Sequence, residues 1–290
     1  MHISFYRCWA CLLVFLLLAS TPAYTNSHRQ KLALVIGNSE YQTYPKLENA
    51  QSDAKTLSRA LSEKGFTVFL AQNVTSEELK QILMFTSTQA GDADQILIYY
   101  AGHSKVENGI TSIVPIDGSR HTSSKELYEF SVSQLLSYFD MPFSQKAIII
   151  DACLQIDPHE KNEIQNLSLP DKFGLETLVV FATSFGQAAY DGKGKHSVFT
   201  GALLDFFAKA EFDIQDAIHS VRRNVITTSR SHQVPISIST LTHPYILASN
   251  PTKPALYSSR IQLIQSYSNT GYSGKQLLGT LSNGFISHNQ

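Results

Sequence analysis

The chain has 290 residues, of which 43% are hydrophobic and 10% aromatic, enough for a sizeable core. It carries 23 Lys and Arg against 24 Asp and Glu, a formal net charge of −1. Proteins that bind the phosphate backbone need a basic surplus, so this balance argues against a nucleic-acid partner.

The first 23 residues have the pattern of a secretory signal peptide. Arg7 precedes the apolar run 10–19, and small residues follow as far as Ala23. The run is short for a membrane helix, which needs ~20 apolar residues, and cleavage after Ala23 fits the small-x-small rule. We expect an exported protein, periplasmic or secreted, without a membrane span after cleavage. An uncleaved membrane anchor is the alternative.

Short apolar runs then alternate with helical patterns along the chain. The strands are predicted over 32–36, 66–71, 95–100, 146–150, 178–182 and 236–241, with a hairpin turn at Asn108-Gly109 and a return strand over 113–116. Helices are predicted over 52–64, after the capping box Thr75–Glu78, and over 133–139, 197–210 and 214–225. This alternation predicts one α/β domain with a mostly parallel sheet covered on both faces.

Three segments lack such periodicity. Residues 154–174 form a predicted long loop, and such loops are usually functional or mobile. Residues 186–194 form a second, glycine-bearing loop, in which Asp191 is interpreted as a turn residue beside Gly192. The chain from residue 249 to 290 is expected to be a partly ordered tail.

Reactive side chains follow the third and fourth predicted strands. His103 and Cys153 each lie three positions past an apolar run, and open α/β sheets place their sites at the carboxyl ends of strands. Removal of the signal would leave Cys153 as the one cysteine, so it is an inert buried residue, a partner for another chain, or a nucleophile. If the strands are neighbours, His103 can take the thiol proton and later protonate a leaving amine.

Several short motifs, in order from about Lys31 to Leu247, resemble those of the bacterial caspase-like peptidases, the broad group that includes metacaspases. They are Leu34-Val-Ile-Gly-Asn38, Asn49-Ala-Gln-Ser-Asp-Ala54, Tyr99-Tyr-Ala-Gly-His103, Asp151-Ala-Cys153, Ala182-Thr-Ser-Phe-Gly186, Asp191-Gly-Lys-Gly194 with Phe199-Thr200, and Gln233-Val-Pro235. In caspases the His lies about 50 residues before the Cys, and here 153 − 103 = 50. The resemblance rests on the order in which these motifs follow one another along the chain.

The resemblance implies a caspase-like three-layer α/β/α fold over residues 31–248 and a cysteine endopeptidase. His103 would be the base and Cys153 the nucleophile. The backbone N–H groups of Ser104 and Cys153 would hold the oxyanion. Ser104 stands where the family usually has Gly, which narrows the available backbone angles and puts the oxyanion hole in question.

Two acids suggest the substrate. Caspases that cut after Asp have Gln two positions before the nucleophile, whereas this chain has Asp151. In metacaspases the matching acid and one on the helix after the first strand line a pocket for Arg or Lys, and Asp53 falls at that second position. We expect a protein or peptide substrate with a basic P1 residue, because two carboxylates attract a base and repel an acid. The alternatives are that Asp53 caps its helix and that Asp151 accepts bonds from its own turn.

Other chemistry has less support. The sequence has no His-Glu-x-x-His motif or paired cysteine spacing for zinc and no phosphate-binding fingerprint, so no metal or cofactor is expected. Calcium activation occurs among metacaspases, but its ligands do not map onto this chain. The resemblance also suggests cleavage in the long loop, at Lys161 or Lys172. The rival function is an inactive caspase-like module that binds peptides, favoured by Ser104 and by Leu154, where relatives commonly have Arg.

Overall fold

The computed structural model describes residues 30–91, 93–107, 109–118, 130–154, 173–190, 192 and 194–248. The predicted signal peptide, Lys161, Lys172, Asp191 and the tail from residue 249 lie outside this part of the chain. Among the helices within it, none combines the length and the apolar character needed to cross a bilayer.

A six-stranded sheet forms the middle of the molecule. The strands of the described residues are β1 Lys31–Gly37, β2 Thr67–Gln72, β3 Gln95–Ala101, β4 Ser104–Glu107, β5 Ile110–Ile113, β6 Phe130–Ser131, β7 Gln145–Asp151, β8 Thr177–Phe181, β9 Glu211–Asp213, β10 Ile236–Ser239 and β11 Ile246–Ala248. The order in the central sheet is β10-β8-β7-β3-β1-β2, with β10 antiparallel and the other neighbours parallel. The predicted mostly parallel sheet is confirmed.

Helices cover both faces of this sheet. They are α1 Ala50–Glu63, α2 Ser76–Gln89, α3 Val132–Tyr138, α4 Val198–Phe207 and α5 Ile214–Thr228. In β1, Leu34 and Ile36 join the core beneath α2 and α3, whereas Ala33 and Val35 join the core beneath α1, α4 and α5. Successive side chains of a strand point to opposite faces, so strands with two buried faces have continuous apolar runs. The expected three-layer α/β/α arrangement is confirmed.

Local signals set several element boundaries correctly. The Thr75 side chain accepts a bond from the Glu78 backbone, and the Glu78 carboxylate accepts one from the Thr75 N–H, so the predicted capping box starts α2. α1 ends at Glu63, just before the predicted terminator Gly65. These short-range signals work because the partners are only three residues apart or less.

The return strand of the hairpin starts three residues earlier than the sequence predicts. β5 begins at Ile110, directly after Gly109, whose φ of 74° makes the tight turn. The predicted return over 113–116 starts where β5 ends, and the Val114 N–H instead donates to the carbonyl of His103. The hairpin is therefore tied back to the turn that carries His103.

Candidate active site

The register of β3 and β7 brings the predicted dyad together. These neighbouring parallel strands pair Tyr100 with Ile150 and Ala101 with Asp151. Each pair is separated by 50 positions, the same as His103 and Cys153. Both residues therefore leave the sheet at the same height, two residues past the ends of β3 and β7.

His103 and Cys153 line one cleft at the carboxyl edge of the sheet. Asp53 and Asp151 line it as well. The structure thus places all four predicted side chains in one cavity.

The ring of His103 has a defined orientation. Its Nε2 lies 2.8 Å from the carbonyl oxygen of Pro45. A carbonyl only accepts, so Nε2 carries a proton, and Nδ1 then carries the lone pair of the neutral ring. The rings of Tyr41 and Tyr44 pack against the imidazole with centroid distances of 4.6 and 5.2 Å. Nδ1 is thereby the basic atom of the neutral histidine.

Two tyrosines, the buried Tyr100 and the half-buried Tyr41, hold the backbone of the His103 turn. The His103 N–H donates to the Tyr41 hydroxyl at 2.7 Å, and the Tyr100 hydroxyl lies 2.7 Å from the His103 carbonyl oxygen. Burial raises the pKa of Tyr41 and of Tyr100, so both remain neutral hydroxyls. A Cβ atom on Gly102 would clash with the Tyr100 hydroxyl oxygen, which explains glycine at this close approach.

Cys153 is half-buried and is not in a disulfide. The Ala189 N–H donates to its Sγ at 3.3 Å, and the thiol lies 3.5 Å from the Ala189 carbonyl oxygen, so both backbone groups of Ala189 contact the sulfur. Ala189 belongs to the predicted loop 186–194. The same loop makes two backbone hydrogen bonds with Leu154, the residue after Cys153: the Leu154 N–H donates to the Gln187 carbonyl, and the Gly186 N–H donates to the Leu154 carbonyl. Leu154 itself is fully buried in the core, so its side chain fills the interior.

Ser104 opens β4 and contacts the backbone of Cys153. Its hydroxyl donates to the Cys153 carbonyl oxygen at 2.5 Å. Ser104 is not one of the non-glycine residues that have a positive φ in the described part of the chain. The backbone therefore accommodates a serine without the strain that a left-handed conformation would impose.

The two acids are almost fully buried, with exposures of 1% for Asp53 and 6% for Asp151. Asp53 accepts the Ser197 N–H at 3.1 Å and lies 2.6 Å from Nδ1 of His196. Asp151 accepts the Ser197 hydroxyl at 2.5 Å. Ser197, at the start of α4, therefore bridges both carboxylates.

Asp151 has further donors beneath it. Its Oδ2 accepts the Thr200 hydroxyl at 2.7 Å and lies 3.4 Å from the Tyr99 hydroxyl. Burial, followed by the negative charge of Asp151, raises the pKa of Tyr99, so Tyr99 stays a neutral donor. Neutral donors around a carboxylate stabilise its charged form.

Some of these contacts have no signal in the sequence. The Pro45 carbonyl and the Ala189 N–H are backbone groups, which any residue provides. Ser197 could have been identified only as the cap of α4, and Thr200 only as part of a motif, because their partner Asp151 is 46 or more residues away. No group of three or more His, Cys, Asp or Glu side chains suited to a metal ion occurs within the described ranges.

Comparison with known proteins identifies the family. The sequence profile of the caspase domain, peptidase family C14, matches residues 30–246. The human mucosa-associated lymphoid tissue lymphoma translocation protein 1 is 22% identical over 182 residues, which cover 62% of this chain but only 21% of that protein. The crystal structure of caspase-1 from Spodoptera frugiperda superposes with a TM-score of 0.60 at 19% identity, over 78% of this chain and 92% of that one, which supports the fold. The chain therefore belongs to the caspase domain family of cysteine peptidases.

Proposed function

We propose that this protein is a cysteine endopeptidase that cleaves after Arg or Lys with His103 and Cys153 as its catalytic dyad. The observation that carries the proposal is the β3/β7 register, which brings both residues into one cleft with two buried carboxylates. Family membership supports the reaction class, and the contacts of the cleft support the residue roles.

The contacts of His103 suit acyl transfer. Nδ1 takes the Cys153 proton, and Sγ attacks the scissile carbonyl carbon to form a C–S bond. The imidazolium then protonates the departing amine as the C–N bond breaks, which leaves a thioester. Water attacks the thioester, His103 takes a proton from it and returns one to sulfur, and the acid is released. The Pro45 carbonyl keeps Nε2–H in place throughout, so the ring orientation is fixed.

Two backbone donors would stabilise the negative oxygen that forms during attack. Under this proposal they are the N–H groups of Ser104 and Cys153, which lie on the two turns that carry the dyad. Donors aimed at developing charge are commonly among the largest contributions to catalysis. Their usefulness depends on a fixed separation between the turns.

The charge of the pocket supports a basic P1 residue. Asp53 and Asp151 line the same cleft as Cys153, and neutral hydroxyl groups surround Asp151. A substrate Arg or Lys would meet negative charge, whereas a substrate Asp would be repelled by it.

Fluorogenic peptides with Arg, Lys or Asp at P1 test this proposal, each measured with and without calcium. We expect turnover of the Arg and Lys peptides and little of the Asp peptide. Cys153→Ala and His103→Ala should each lower kcat/KM by about 10³-fold or more, since members of such a unit act together. Equal rates in wild type and Cys153→Ala, or no turnover under any condition, would contradict the peptidase and favour the peptide-binding module. A preference for the Asp peptide would contradict the proposed selection of a basic P1 residue.

We also propose export after cleavage at Ala23, catalysis without a metal or cofactor, and self-cleavage after Lys161 or Lys172. Intact-mass analysis of exported wild type beside Cys153→Ala tests the first and third points. A mature chain beginning at Tyr24 is expected in both proteins, and loop cleavage in the wild type alone. A retained leader would contradict export, and loop cleavage that persists in the mutant would contradict self-processing. Activity that EDTA abolishes would contradict catalysis without a metal.

A further inference from the structure

The side chain of Ser104 links the two turns of the site. Its hydroxyl donates to the carbonyl oxygen of Cys153 at 2.5 Å, although the residues are 49 positions apart. Near this point the regular strand pairing weakens: the Gly102 N–H reaches the Asp151 carbonyl at 3.3 Å, at the long end for a hydrogen bond. The Ser104 hydroxyl makes a shorter hydrogen bond just beyond this last backbone contact between the two segments.

We infer that the Ser104 hydroxyl is a positioning group that fixes the separation of the two oxyanion donors. The inference rests on the proposed function. Ser104 would offer one donor through its own N–H, and its hydroxyl holds the residue that offers the other. A glycine at this position would provide the first donor but not the link.

The surrounding contacts show why the link matters. On its other side Cys153 is held by the loop after β8, through the Ala189 N–H on Sγ and the Leu154 N–H on the Gln187 carbonyl. Those bonds tie Cys153 to a different loop from the one that carries His103. Oxyanion donors must lie about 2.7–3.1 Å from the charged oxygen, and a displacement of about 1 Å can cost about 10²-fold in rate. The Ser104 bond therefore acts directly on the distance that catalysis needs.

Three variants test the inference in the full-length protein. Ser104→Ala removes the hydroxyl, and Ser104→Thr keeps it. Ser144→Ala is the matched control, because the Ser144 hydroxyl donates to the Ala93 carbonyl at the same 2.5 Å but at the opposite edge of the sheet. For each protein we would measure kcat and KM on an Arg peptide, the inhibition constant of a peptidyl-Arg aldehyde, the rate of thiol alkylation by iodoacetamide, and Tm.

Ser104→Ala should lower kcat by about 10- to 10²-fold, since it misplaces a donor without removing it. The aldehyde forms a tetrahedral oxyanion on Cys153, so its affinity should fall by a similar factor. KM and the alkylation rate should stay unchanged, because neither uses the oxyanion hole. Ser104→Thr should restore kcat, and Ser144→Ala should lower Tm while leaving kcat at the wild-type value.

Wild-type kcat and aldehyde affinity in Ser104→Ala would overturn the inference while leaving the peptidase intact. If Ser104→Ala lowered the alkylation rate as much as kcat and also lowered Tm, Ser104 would have a merely structural role. This result would also overturn the inference. A wild type that neither cleaves the peptide nor binds the aldehyde would instead refute the proposed function, and the inference with it.

Discussion

Ser197 illustrates how a single residue organises the acids of the cleft. Its backbone N–H bonds Asp53 and its hydroxyl bonds Asp151, so two carboxylates from distant parts of the chain share one anchor. Negative charges buried without partners are costly. The donors of α4 and the neighbouring His196 offset that cost and keep the acids at the cleft.

Neutralising either acid should weaken recognition of a basic P1 residue. We expect Asp53→Asn and Asp151→Asn each to lower kcat/KM for Arg and Lys peptides by about 10- to 10²-fold, the loss of one hydrogen bond to a charged group. The ratio of Arg to Asp cleavage should fall with it, because repulsion of acidic substrates is reduced. Kinetics on the three peptides measure both effects.

Asp213→Asn provides the matched control for these substitutions. Asp213 caps α5 by accepting the Gln215 N–H and does not line the cleft. This variant should keep the wild-type preference. An unchanged Arg-to-Asp ratio in both Asp53→Asn and Asp151→Asn would show that the acids do not select the substrate.

Among the contacts between secondary-structure elements, Glu176 joins the residue before β8 to the segment between β10 and β11. Its carboxylate accepts both the N–H and the hydroxyl of Thr242, and Glu176 has a left-handed φ of 49°. The hydroxyl bond from Thr242, more than any other contact, lowers the pKa of Glu176 to about 2. Strain of this kind persists only where the surroundings hold it.

The lowered pKa of Glu176 gives a stability prediction. A carboxyl with a depressed folded-state pKa contributes fully above its ordinary value of about 4.3, and the contribution is lost as pH falls toward about 2. Glu176→Gln should lower the unfolding free energy by about 1–2 kcal/mol at pH 6, and its deficit against wild type should shrink as the pH falls from 5 to 2. Urea unfolding of both proteins across this range measures the difference, and a constant deficit would contradict the assignment.

The long strands were predictable, and the shortest strands were not. Strands such as β1 and β3 have uninterrupted apolar runs because both of their faces are buried. The strands β9 and β11 have three residues each, too few to show a period, and were missed although they pair with each other. Register and pairing of such short strands depend on tertiary contacts.

In the whole molecule, the predicted dyad residues lie in one cleft because the motif spacing and the sheet register coincide. The 50-residue separation of His103 and Cys153 is the offset between paired residues of β3 and β7. The groups that contact His103 and Cys153 could not be predicted, since the Pro45 carbonyl and the Ala189 N–H are backbone groups placed by loops. The motifs thus indicate the candidate catalytic residues, whereas the backbone groups that contact them depend on how the loops fold.

Covalent capture tests the central claim most directly: Cys153 is the nucleophile of a site that accepts a basic P1 residue. The protein is incubated with peptidyl acyloxymethyl ketones bearing Arg or Asp, and the site is mapped by mass spectrometry. We predict that the Arg probe labels Cys153 rapidly, that His103→Ala slows this labelling, and that Cys153→Ala abolishes it. Equal labelling by the Asp probe, modification at another residue, or no modification by either probe would contradict the account.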